Sequence, residues 1–248
     1  MKIQLMSDLH FGHKHYKTPK LSPKADVLVI AGDTYSDWNK CHKGIENITK
    51  GATLPIIFVL GNHDYYGNLL AETANDFREF FGDKKNYYFL EKEKVTIGGI
   101  NFIGTTLWTD LDKGRGAAFA QMNMPDYPYI LKLENGRAET IVAQDTIDEF
   151  EKNVLFLKDN VNKGDVIVTH HMPSYSLVAK QFVGNALTDA FATNLDDFIL
   201  DYEPGLWLFG HTHIGCDKII GNTRCVCNPF GYPFEGYKNY KEEFLIEI

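Results

Sequence analysis

The chain has 248 residues, enough to bury a substantial core as one large domain or two small ones. Hydrophobic residues make up 44% and charged residues 23%, the balance of an ordinary soluble globular protein. The net charge of -8 gives no support to extended nucleic-acid binding, which draws on a basic surface. Met1 to His10 lacks the apolar stretch of a signal peptide, and nowhere is there a run of about 18 apolar residues, so no membrane span is expected. Cys41, Cys216, Cys225 and Cys227 lack zinc-knuckle spacing and read as reduced, mostly buried thiols, which points to the cytoplasm.

In chain order, Lys2 to Ser7 opens as a strand and runs into Asp8-Leu9-His10, followed by a loop over Phe11 to Pro23. Asp26 to Ala31 is a continuous apolar run, as expected of a strand buried on both faces, and it ends at Gly32-Asp33. Trp38, Cys41, Ile45 and Ile48 recur at helical spacing, which predicts a helix over Asp37 to Lys50. A buried strand over Ile56 to Leu60 ends at Gly61-Asn62-His63-Asp64, and Leu70, Ala74, Phe77 and Phe81 mark a second helix closed by Gly82. Strands follow at Tyr87 to Leu90, Lys94 to Ile97 and Ile100 to Thr105, with Gly98-Gly99 as a hairpin signal. The change at Gly82 predicts a parallel sheet followed by an antiparallel one. Trp108 to Ala138 is the least regular part and reads as a specificity insertion. Ala143 to Leu157 is a strong helix, Asp165 to Thr169 a buried strand ending at His170-His171, and Asn185 to Leu200 a further helix. Leu206 to Phe209 is a strand ending at Gly210-His211-Thr212-His213. Cys216 to Ile220, Arg224 to Cys227 and Phe244 to Ile248 read as antiparallel strands that complete a sheet. With no internal repeat or linker, residues 1–248 are expected to form one domain.

Five polar stretches thus sit directly after buried strands: Asp8-x-His10, Gly32-Asp33, Gly61-Asn62-His63-Asp64, His170-His171 and Gly210-His211-Thr212-His213. In extended backbone, residues i and i+2 face one side, so Asp8 with His10, and His211 with His213, can each grip one ion. Asp33 can bridge two ions through its two oxygens, and Asn62 offers a neutral oxygen. Each stretch alone is an ordinary polar turn; five in order at strand ends, where α/β sheets build their sites, are not. This mixed nitrogen and oxygen set suits Mn, Fe, Zn, Ni or Co, with Mn favoured.

This ordered set, spanning residues 8 to 213, resembles the calcineurin-like metallophosphoesterases. The resemblance implies an α/β fold, a four-layer α/β/β/α sandwich with two mixed sheets, and two divalent metal ions at the strand ends. It implies that Asp8, His10, Asp33 and His213 hold one ion, and that Asp33, Asn62, one histidine of the 170–171 pair and His211 hold the other. Strand alignment favours His170. The ligand in many members lies two residues before a proline, which would select His171 before Pro173; otherwise His171 lines the substrate pocket. Two such ions lower the pKa of a bridging water and offset phosphoryl charge. His63 is then the general acid for the departing alkoxide, with Asp37 as a candidate partner and Asp64 orienting the turn or a ligand. Gly61 is expected to let the backbone turn.

The protein-phosphatase branch carries GDxxDRG and GNHE, whereas this chain has Gly32-Asp33-Thr34-Tyr35-Ser36-Asp37-Trp38 and GNHD, without the arginine. The blocks look more like bacterial and phage phosphodiesterase-type members. The expected substrate is therefore a small or nucleotide-type phosphodiester. The alternatives are a phosphomonoesterase, a DNA-end nuclease, or a non-catalytic scaffold. Specificity is expected from the loops 11–16, 108–129 and 173–194, with Trp108 and Arg115 as substrate contacts and Tyr16, Tyr66, Tyr127 and Tyr175 as further stacking candidates.

Overall fold

The structure is a computed structural model that describes residues 1–12, 16–35 and 38–248, the side chains of 38–41 excepted. Asp37, the candidate partner of His63, and the Cys41 thiol therefore lie outside the described residues, as does part of the 11–16 loop. In chain order the elements are β1 (Lys2–Met6), β2 (Val27–Ala31), α1 (Trp38–Ile48), β3 (Ile56–Val59), α2 (Thr73–Phe81), β4 (Tyr87–Phe89), β5 (Glu93–Ile97) and β6 (Ile100–Gly104). Next come α3 (Ala117–Asn123), α4 (Asp126–Tyr129), β7 (Leu131–Glu134), β8 (Arg137–Thr140), α5 (Ala143–Asn160), β9 (Val166–Val168), α6 (Thr188–Phe191) and α7 (Asp196–Tyr202). The chain closes with β10 (Leu206–Phe209), β11 (Cys216–Ile220), β12 (Thr223–Cys227) and β13 (Leu245–Glu247).

Two mixed sheets form the core, ordered β13-β1-β2-β3-β4 and β11-β12-β10-β9-β6-β5. In the first, β13 is the antiparallel edge and the other pairings are parallel. In the second, β6, β9, β10 and β12 are parallel, flanked by antiparallel β5 and β11. The central strands β2, β3, β9 and β10 are apolar at every position because both faces are covered, and alternate residues enter different cores. Leu5, Val29 and Ile57 meet Phe102, Val168 and Leu208 between the sheets. Leu28, Ile30 and Phe58 face Ile45 of α1 and Phe77 and Phe81 of α2. Ile167, Trp207 and Phe209 face Leu157 of α5 and Phe198 and Ile199 of α7. Each such side chain contributes roughly 1.5–3 kcal/mol by burial. Helices thus cover the outer face of each sheet.

Several boundaries differ from those read in the sequence. The switch between sheets falls after β4, not at Gly82, because β4 pairs in parallel with β3. The tail strands divide: β11 and β12 complete the second sheet, while β13 joins the first. The 108–138 region is more regular than expected, containing α3, α4 and most of the β7–β8 hairpin, whose turn is Asn135-Gly136 with both residues at positive φ. The expected helix over 185–200 is broken into α6 and α7. Between them, Ala192 bridges to Met172, Leu195 N donates to Pro173 O, and Asn194 Oδ1 accepts from Asp196 N. Those bonds offer the backbone an alternative to helix. Cys216, Cys225 and Cys227 are free thiols, the last two buried.

Candidate metal centre

All five polar stretches meet at one end of the two sheets. Asp8 and His10 follow β1, Asp33 follows β2, and Asn62 and His63 follow β3; His170 follows β9, and His211 and His213 follow β10. The first sheet and the second therefore each supply part of one cluster. Asp8 Oδ1 accepts from the His211 backbone N–H at 2.9 Å, which joins them directly.

The pairing of i with i+2 arises differently from expectation. Asp8, His10, Asp33 and His211 lie beyond the strands with φ of 53°, 43°, 54° and 65°, in the left-handed region that side chains rarely adopt. Backbone strain of this kind persists only where surrounding contacts fix it. Asp64 supplies several here, its carboxylate accepting from the backbone N–H groups of Asp33 (2.9 Å), Thr34 (3.0 Å) and Gly61 (2.8 Å). Gly61 itself is not in a glycine-only conformation, with φ at -100°. Its role is close approach rather than turning, since a Cβ there would lie 2.1 Å from Asp33 Oδ1.

Three overlapping groups lie close enough for each to share an ion: Asp8, His10 and His213; His10, Asp33 and His63; and Asp33, His170 and His211. Asp33 stands between them. Its Oδ2 is 3.6 Å from His10 Nε2, and its Oδ1 is 3.4 Å from His170 Nε2. His10 Nε2 and His213 Nε2 are 3.1 Å apart, and Asn62 Oδ1 is 3.1 Å from His170 Nε2. The outward nitrogens are occupied: His170 Nδ1 donates to Ala31 O at 2.9 Å and His213 Nδ1 to Glu235 Oε2 at 2.7 Å, so Nε2 is the atom each ring turns inward.

The residues present fit divalent ions on this chemistry. His211 Nε2 is buried and has no hydrogen-bond partner among the described residues. Burial holds the imidazoles of His10 and His211 well below their usual range, so both stay neutral, as ligation requires. Burial opposes charge on His170 too, but the carboxylates of Asp33 and Asp8 raise it to about 9. Asp33 is correspondingly held well below the carboxylate range: burial works against its charge, and His170 and His63 outweigh it.

Some expected contacts are not brought to this cluster. His170, not His171, faces Asp33 and Asn62. His171 is buried behind it, between the rings of Trp108 (5.3 Å) and His211 (4.3 Å), and burial with His170 beside it lowers it to about 3. Neither His171 nor Trp108 lines the cavity that opens onto the cluster. Arg115 is exposed and pairs with Asp112, away from that cavity, because a nearby carboxylate satisfies its guanidinium. The tyrosines offered for stacking are used internally. Tyr16 packs on Phe11 and Phe230, and Tyr66 stacks on His63 at 4.4 Å. Tyr127 bonds Thr146, and Tyr175 bonds Asp189.

The cavity measures about 570 Å³ and reaches from Asp33, Asn62, His63, His211 and His213 outward. The rest of its lining is largely apolar and amide-bearing, with Met124, Phe182, Asn123, Gln181, Asn185 and Phe191, whose ring stacks on His211 at 4.3 Å. Tyr232 lies beside the cluster, its ring 4.3 Å from that of His10 and its hydroxyl 3.4 Å from His63 Nε2. The 182–191 wall lies within the 173–194 loop expected to set specificity, whereas sequence reasoning missed Tyr232 and Glu235 as site residues, since neither ends a strand.

Comparison with known proteins agrees with this geometry. The family profile described as calcineurin-like phosphoesterase matches residues 1–215. The chain belongs to the calcineurin-like phosphoesterase family. An uncharacterized protein, L509, of Acanthamoeba polyphaga mimivirus is 26% identical over 239 residues, 89% of this chain and 83% of that protein. The crystal structure of phosphopantetheinyl hydrolase (PptH) from Mycobacterium tuberculosis superposes with a TM-score of 0.77 at 16% identity, covering 100% of this chain and 95% of that one. At that identity the second likeness speaks to the fold. Membership of the calcineurin-like phosphoesterases supports metal-dependent hydrolysis of phosphoesters. No helix among the described residues is long and apolar enough to cross a membrane.

Proposed function

We propose that the chain is a dinuclear phosphodiesterase acting on a small diester. The observation that carries the two-ion reading is Asp33, whose two oxygens face different histidine groups. Asp8, His10, Asp33 and His213 would hold one ion, and Asp33, Asn62, His170 and His211 the other. The nitrogen and oxygen donor set favours Mn. When bound, two divalent ions hold the phosphoryl oxygens, offset their charge and acidify the attacking water. The chain's own residues do the rest. His63, on the cavity wall, donates its proton to the departing alkoxide as the phosphorus–oxygen bond breaks. Tyr66 stacked on one face and Tyr232 at its Nε2 hold that ring in place. Residues 1–248 act as one domain, and the 108–138 insertion gives the cavity Asn123, Met124 and Pro125. The free thiols support a cytoplasmic setting.

The apolar and amide wall also supports a leaving alcohol that carries an extended, uncharged, amide-bearing arm. The structural likeness to a phosphopantetheinyl hydrolase is in keeping with such a substrate. The test is hydrolysis of bis-p-nitrophenyl phosphate against p-nitrophenyl phosphate with added Mn. It is followed by a panel of cyclic nucleotides, dinucleotides and phosphopantetheinyl esters. Activity on the diester alone is expected; monoester preference overturns the proposal.

A further inference from the structure

A carboxylate outside the strand-end motifs controls the same site. Asp126 opens α4 in the insertion and is only 4% exposed. Its Oδ1 accepts two hydrogen bonds, from Asn62 Nδ2 at 2.7 Å and from the Tyr66 hydroxyl at 2.7 Å. A carboxylate is acceptor-only, so the Asn62 amide must present its NH2 to Asp126 and its Oδ1 to the opposite side. That oxygen lies 3.1 Å from His170 Nε2, within the cluster. The second bond fixes Tyr66, whose ring stacks on His63 at 4.4 Å and 29°. α4 is itself strapped to the chain just past His63. Gly67 N donates to Tyr129 O (2.7 Å), Leu131 N to Asn68 O (2.8 Å) and Leu70 N to Leu131 O (2.8 Å).

We infer that Asp126 is a positioning residue with two arms: one orients the Asn62 oxygen toward the metal centre, the other holds the ring that backs His63. This rests on the reading of Asn62 as a ligand. The insertion then does more than shape the cavity. It sets which atom of Asn62 faces inward. Without that acceptor, only the longer bond to the Tyr66 hydroxyl (3.4 Å) restrains the amide, which can then turn its NH2, unable to ligate, toward the ion.

The arms separate experimentally. Mn binding to the metal-depleted full-length protein is measured by titration calorimetry, alongside kcat and KM on an alkyl diester. Asp126→Ala is expected to weaken binding of one ion by roughly 10–100-fold. Asp126→Asn, whose carbonyl still accepts both bonds, is expected to stay within about threefold of the parent, since the acceptor and not the charge is what matters. Tyr66→Phe keeps the ring but loses its bond to Asp126 and the longer one its oxygen accepts from Asn62 Nδ2 (3.4 Å). It is expected to lower kcat and leave Mn affinity within about threefold of the parent, since Asp126 still holds the amide. Should Asp126→Ala not fold, Asp126→Ser, too short to reach the amide, carries the same expectation. Asn62→Ala serves as the control. If it binds both ions as tightly as the parent, the ligand reading fails. If it loses an ion while a folded Asp126→Ala or Asp126→Ser keeps both at parental affinity, the role of Asp126 is overturned.

Discussion

The strand-end cluster and the cavity wall differ in how tightly they are built. Asp8, His10, Asn62 and His170 are essentially inaccessible, and they hang from strands that are buried throughout except at Lys2. The facing wall comes from short turns around Lys180–Phe182 and Thr188–Phe191, where Phe182 is 43% and Val183 70% exposed. The cluster is over-determined: left-handed residues, the Asp64 carboxylate and close glycine contacts all fix one arrangement. The wall is held by few such contacts. This division suits chemistry at the sheet ends and choice of substrate on the 180–191 turns.

Substitutions on the two sides should therefore fail in different ways. The largest effect is expected for Asp33→Asn, which neutralises the residue between the histidine groups. Turnover should fall by roughly 10³-fold or more, and metal analysis should find fewer than two ions per chain; two ions would break the bridging assignment. Next is His63→Ala, expected to keep its metal and lose about 10²–10⁴-fold on alkyl diesters, with much less loss on p-nitrophenyl esters, whose leaving group needs no proton. Equal activity on both would remove His63 as the acid. On the wall, Phe182→Ala is expected to raise KM about fivefold, equivalent to ~1 kcal/mol of apolar contact, with kcat held. A fall in kcat instead would show that the wall takes part in chemistry. Smallest is Arg115→Ala, expected to change kcat/KM by less than about twofold, since an exposed ion pair contributes little. A large loss there would restore it as a phosphate clamp.

The same contrast explains what could be read in the sequence. Buried strands announce themselves as apolar runs, and polar residues at their ends stand out against them. The metal centre was legible for that reason, and strand alignment pointed to His170. Asp126, Tyr232 and Glu235 sit in stretches with no periodic background, so none of the three stood out as a site residue. Their contacts join positions far apart in the chain, as Asp126 to Asn62 does. Gly61 was visible but misread: proximity to Asp33, a long-range fact, decides it. The β7–β8 hairpin did carry a local signal, Asn135-Gly136, which the irregular composition around it obscured.

The hydrogen bond from His211 N to Asp8 Oδ1 crosses from one sheet to the other. With candidate ligands drawn from both sheets, bound ions would act as a clasp between them. Anything that binds only the folded state stabilises it by mass action, about 2.7 kcal/mol when its free concentration is 100 times the dissociation constant. The protein's folding reserve would then be tied to the supply of the ion. Under metal starvation the chain would lose durability together with activity, and its steady-state abundance would follow the metal available to it.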